Sequence, residues 1–224
     1  MEQRESELEF INEYFDADAP IRPHVFDHLL ADGWRHFGTY FTRYNLGIHK
    51  DEIRQVLPLR VRLRDFQLSK SQTRVLKRNS DIDVTIGKPA ISKKVLALFE
   101  RHKQRFDDHV PESIYTFISR HAKIPTELFQ LTAKRDDEIV AVSFFDRGVE
   151  SVSAIYACFE PAEERRSLGV FTMLKVIEWA TSQQMLYYYP GYAYVGSSFY
   201  DYKKRFAALE SYDWSGEWRA YDGR

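Results

Sequence analysis

Cysteine is nearly absent. Cys158 is the only one in 224 residues, which excludes an intrachain disulfide and any cysteine-based metal cage. Glycine and proline are also scarce, at 10 and 8 residues, so collagen-like and low-complexity readings fall away. No run approaches the roughly 20 apolar residues that cross a bilayer. Met1–Glu9 carries four glutamates and no apolar segment, unlike a signal peptide. These absences predict a cytoplasmic protein with no membrane partner. His24 and His28 stand four apart, yet no third ligand and no HExxH pattern accompanies them, so no metal is expected.

Apolar residues make up 44% of the chain, with 16 Phe, 14 Tyr and 4 Trp, enough to bury a sizeable core. The net charge of −1 hides an asymmetry. Glu2–Asp32 holds nine acids against two arginines, whereas Arg43–Arg78 holds ten Lys/Arg against three acids. Such a cationic stretch suits an anionic partner such as RNA, or is simply a solvated face.

Patterning predicts a short amphipathic helix over 5–15, closed by Pro20 and Pro23, and a further helical turn or two over 24–31. The aromatic run from Trp34 to Tyr44 reads as extended, with a hairpin at Gly38. Leu59–Arg64 alternates strictly between apolar residues and arginine, a half-buried strand with a cationic open face. Ser69–Asn79 reads as a capped helix whose Lys70, Arg74, Lys77 and Arg78 gather on one side. Helices are expected at 92–106 and 111–122. Three strands (127–133, 138–145, 152–159) joined by tight turns form an antiparallel meander. A helix over 168–184, a strand at 186–189, a short helix near 198–206 and a last strand near 207–214 follow.

That order is similar to the core of GNAT acyltransferases, an α/β (α+β) fold with a mixed, largely antiparallel sheet flanked by helices. The chain divides into 1–85, a basic N-terminal region, and 86–224, the GNAT-like core. In such folds an Arg/Gln-x-x-Gly-x-Gly/Ala turn grips coenzyme A pyrophosphate at a helix N-terminus. Arg166-Ser167-Leu168-Gly169-Val170-Phe171 meets the first two positions and misses the third, which counts against a conventional coenzyme A enzyme.

Residues 160–206, with an EERRSLG turn, a YYYPGY strand and a YKKRF segment, closely resemble the arginyl-tRNA–protein transferases, nearest to their aspartate/glutamate leucyltransferase branch. The block Phe66–Asn79 is similar to the family's F-x-x-S-x-S-Q-R-R-x-L-x-R-N pattern, and 139–142, Asp146 and 151–156 also line up. The family's N-terminal cysteine cluster is missing between Tyr44 and Ile53, so no metal or iron–sulfur centre is implied.

The resemblance implies an enzyme without a cofactor. It would move leucine or arginine from an aminoacyl-tRNA to the α-amino group of an acceptor protein or peptide with an acidic N-terminus. It places substrate or tRNA contacts at Ser71, Gln72, Arg74 and Arg78, at Arg165, Arg166, Ser167 and Gly169, and at Tyr202 and Lys203. Candidate catalytic groups are Tyr156 and Asp146 on the meander and Tyr192 after the last core strand. Two other readings stay open: a coenzyme A-dependent N-acyltransferase, and a non-catalytic relative that binds tRNA or peptide.

Overall fold

The largely apolar stretch Ile139–Phe145, broken only by Ser143, requires cover on both faces, and a computed structural model of the chain supplies it. The structure describes residues 9–106, 110–120 and 124–223. Three strands, β7 (Glu127–Arg135), β8 (Glu138–Arg147) and β9 (Ser151–Phe159), form the expected antiparallel meander. Ala141 and Phe145 of β8 face a core shared with α4 (Leu168–Ser182), through Phe171, Leu174 and Ile177. Val142 and Phe144 point the other way, onto Val95, Leu98 and Phe99 of α3 (Lys93–Lys103).

Strand β10 (Tyr187–Tyr194) lies parallel to β9. Beyond it come β5 (Glu52–Arg62), β11 (Leu209–Tyr212) and β12 (Trp218–Ala220), while β6 (Asp83–Gly87) closes the far edge and β4 (Leu46–His49) pairs with β5. This mixed, mostly antiparallel sheet between two helical layers is a GNAT-like acyltransferase fold. A separate sheet of β1 (Asn12–Asp16), β2 (Arg35–Phe37) and β3 (Tyr40–Tyr44) joins α1 (Pro23–Ala31) in a smaller layer. Phe26 and Leu30 of α1 and Phe41 of β3 bury themselves with Tyr189 of β10.

Several expectations need correction. The helix expected over 5–15 lies partly outside the described residues, and Asn12–Asp16 is a strand zipped to β3. That pairing satisfies its backbone and stacks Phe15 on Phe41. Pro23 opens α1 rather than stopping a helix. In place of a helix over 111–122, only a 3-10 turn, Ile114–Thr116, forms, capped by Ser113; residues 121 and 122 lie outside the described residues. The segment 199–205 is also a 3-10 turn. The β5 arginines are not free: Glu210 sits opposite Arg60 across β11 and accepts from its Nε at 2.7 Å. Arg60 also lies 4.1 Å over Tyr187 and 4.3 Å over Trp218. Among the described residues the unpaired cations of this region therefore sit mainly on α2 (Lys70–Arg78).

Candidate active site

β9 and β10 share a parallel ladder over only three residues, Ser151–Ser153 with Tyr187–Tyr189. Both strands run on, β9 to Phe159 and β10 to Tyr194, so beyond the ladder their facing edges are unpaired and leave the candidate cleft between them. The loss of pairing has a local cause. β10 bulges against β5 between Tyr188 and Gly191, and β9 shifts register against β8 opposite Phe144 and Phe145. Gly191 takes φ +91°, a backbone conformation that glycine adopts without strain.

Cations gather at this bulge. A Cβ on Gly191 would lie 3.2 Å from Arg35 Nη1 and 3.3 Å from Lys203 Nζ. Lys203 is buried, and its Nζ donates to the Tyr192 carbonyl at 3.0 Å. Burial, then the neighbouring Arg35, holds its amine well below the ordinary lysine range. The Arg35 guanidinium stacks over Phe37 and Tyr192, at 4.6 and 5.0 Å, and its Nε is buried without a partner. Arg105 packs 4.6 Å over Phe159 on the β9 side. Burial pushes the Tyr202 phenol up to about 12, and Arg35 and Arg105 both act on it in the opposite direction. Among the described residues none of these three cations has a carboxylate ion partner. A cleft holding several like charges favours an anionic occupant.

The other residues singled out in the sequence are scattered around this cleft. Tyr156, on β9, stacks face to face on Phe117 at 3.9 Å, and its buried hydroxyl has no partner; burial raises its pKa. Tyr192 is buried and its hydroxyl donates to Gly33 O at 2.5 Å. Asp146 is fully buried, with Oδ2 2.8 Å from His36 Nε2 and Oδ1 accepting from Thr126 Oγ1 at 2.5 Å. His36 Nδ1 lies 2.9 Å from Gly38 O. A carbonyl only accepts, so that nitrogen is the donor, and the ring is clamped next to Arg35. Cys158 is buried and its thiol raised to about 12, an inert packing group.

The basic turn lies at the α4 entrance, and much of it is tied inward. Arg166 grips Asp81 through two bonds of 2.8 and 3.0 Å and also reaches Glu163. Arg78 donates to the Arg165 carbonyl. Ser167 adopts a left-handed conformation without a capping hydrogen bond. Gly169 is pressed against Phe159, where a Cβ would come within 3.1 Å. Phe171, the residue that breaks the coenzyme A pattern, is buried in the core. On α2, Gln72 completes a capping box with Ser69 and reaches the Arg205 carbonyl at 3.5 Å. Ser71 and Arg74 are exposed.

Sequence reasoning missed Arg35 and Arg105. The first belongs to an aromatic run whose arginine gave no separate signal; the second is one of several cations closing α3.

Residues 94–213 match the family model described as "Arginine-tRNA-protein transferase, C terminus". An aspartate/glutamate leucyltransferase of Marinobacter nauticus is 30% identical over 211 residues, covering 92% of this chain and 86% of its own. The chain belongs to the arginyl-tRNA–protein transferase family. A second leucyltransferase, from Hahella chejuensis, is 25% identical over 200 residues, 88% of this chain and 84% of that one. Among solved structures, L-PGS from Bacillus licheniformis superposes with TM-score 0.50 at 13% identity, over 70% of this chain and 59% of that chain, a likeness of fold alone. The protein is thus an aminoacyl-tRNA–protein transferase, an amide-forming enzyme whose substrates are a charged tRNA and a protein. Among the described residues no helix is long and apolar enough to cross a membrane.

Proposed function

We propose that this transferase moves leucine from leucyl-tRNA to proteins or peptides beginning with aspartate or glutamate, with arginine as the second donor to test. The observation that carries the acidic acceptor is the grouping of Arg35, Lys203 and Arg105 around one cleft without a carboxylate ion partner among the described residues. Leucine is favoured by the names of the relatives.

The chemistry asks little of the protein. The acceptor amine attacks the ester carbonyl, a C–N bond forms, the C–O bond to the terminal ribose breaks, and the amine proton ends on the ribose oxygen. An α-amino group titrates near pH 8, so roughly a fifth to a third of it is already neutral near pH 7.4. Alignment and stabilisation of the tetrahedral oxyanion then dominate. The Arg35 fork suits a carboxylate, which it can hold through two hydrogen bonds. Lys203, held at the β10 bulge, would face the oxyanion or the terminal phosphate. Tyr156 and Tyr202 would line the two walls. Asp146 would act from behind, by holding His36 beside Arg35.

The test offers total tRNA charged with each labelled amino acid to peptides beginning with Asp, Glu, Lys, Arg or Ala. Label from leucine appearing in the Asp and Glu peptides is expected, with Arg35→Ala raising KM for those peptides. An unchanged acidic preference in both Arg35→Ala and Lys203→Ala would remove the assignment.

A further inference from the structure

The 3-10 turn Phe199–Arg205 joins two parts of the molecule that carry positive charge. At its far end the Arg205 carbonyl accepts from Gln72 at the start of α2, and in its middle Lys203 is held to β10. At its near end stand two exposed aromatic residues, Phe199 at 63% and Tyr200 at 38% exposure. The turn is rigidly built: Ser198 and Asp201 form a reciprocal capping box, and Lys204 pairs with Asp201 at 2.8 Å. The rings continue as a strip. Phe199 meets Tyr200 at 5.8 Å, Tyr200 meets Tyr194 at 6.2 Å, and Tyr194 meets His49 at 5.3 Å. Lys203 Nζ lies 4.8 Å over the Tyr200 ring, so the strip ends at the cleft.

Exposed aromatic rings beside cations are the hallmark of a surface for single-stranded nucleic acid, because every base has a face that stacks. Charge complementarity points the same way. Lys70, Arg74, Lys77 and Arg205 are exposed and have no carboxylate ion partner among the described residues. Asp201, the acid nearest the rings, is neutralised by Lys204. We infer that Phe199 and Tyr200 are the stacking platform for the unpaired 3′ nucleotides of the charged tRNA. Its paired stem would lie along α2, and its ester would reach into the β9–β10 cleft. This rests on tRNA being the donor substrate, as in the reading above, but not on which amino acid is carried.

The experiment uses the full chain and uncharged RNA hairpins that mimic an acceptor stem, with either a short unpaired 3′ overhang or a blunt end, followed by fluorescence anisotropy. Wild type should prefer the overhang. Phe199→Ala with Tyr200→Ala should weaken overhang binding about tenfold or more, leaving blunt-hairpin affinity and the salt slope unchanged. Phe199→Leu with Tyr200→Leu, which keeps apolar bulk, should behave alike. Equal wild-type affinity for both hairpins, or equal losses on both, would overturn the inference. So would variants that keep RNA affinity but raise KM for the acceptor peptide, since the strip would then hold the acceptor. Failure of leucine transfer with the overhang effect intact would count against the assigned donor and not against the platform.

Discussion

Lys203 donates a hydrogen bond to the carbonyl of Tyr192, across a bulge at which Gly191 occupies a positive φ. Burying this amine beside a guanidinium disfavours its charged form and costs the free protein stability. That arrangement is expected where an anion arrives to complete it.

Gly191→Ala should therefore reduce transfer more than it reduces stability. The atoms nearest the added methyl are the far ends of Arg35 and Lys203, and the left-handed backbone costs about 1–3 kcal/mol. A shift in thermal midpoint alongside a much larger loss of kcat/KM is the expected outcome. Unchanged turnover would show that the bulge does not position the two cations.

Lys203→Met should stabilise the protein near neutral pH while lowering activity. The folded pKa of Lys203 lies below 10.5, so the unfolded chain binds more protons in the interval between the two values. Wild-type stability relative to the variant must then rise as pH climbs towards 10.5. Urea unfolding of both proteins across that range reads the difference directly, and a flat difference would contradict the buried lysine.

His102 gives the acid limb. Burial lowers its pKa to about 4, against a backbone contact with Phe159 that favours the charged form. A neutral native imidazole contributes stability that is complete above about pH 6.5 and is lost as pH falls towards 4, up to about 3 kcal/mol. His102→Gln should flatten that limb in denaturant titrations at pH 4, 5 and 7.

Asp146→Asn separates a base from a positioning group. Asp146 is fully buried and holds both His36 and Thr126, so the change should cost about 3 kcal/mol. The activity loss should appear in KM for acidic peptides, through Arg35. A fall in kcat alone, with stability intact, would make Asp146 the base.

On α2, Lys70→Ala, Arg74→Ala and Lys77→Ala should each lower the salt slope of tRNA binding by about one. Arg166→Ala should mainly loosen the tie between α2 and the turn before α4, because its guanidinium is engaged by Asp81 and Glu163. A salt slope that responds to Arg166 alone would reverse these roles.

The meander, α4, the first residues of β10 and the capped helix after Ser69 were legible in the sequence, because a buried apolar run and an S-x-x-Q cap act over a few residues and need no distant partner; the extension of β10 through Tyr192 to Tyr194, where a turn was expected, was not. The family was legible from the ordered blocks around 66–79 and 160–206. Asn12–Asp16 was not, since its strand exists only through pairing with β3, some thirty residues away. The pairing of cations was equally hidden. Arg60 and Arg166 looked as free as Arg74 until Glu210, Asp81 and Glu163 were brought against them. Conversely, Arg35 and Arg105 had no distinguishing neighbours in the chain, and only tertiary packing brings Arg35 beside Lys203 and Arg105 within reach of Tyr202. Local periodicity determined which elements form; the cleft was decided by contacts between residues up to about 170 positions apart, which a linear pattern does not encode.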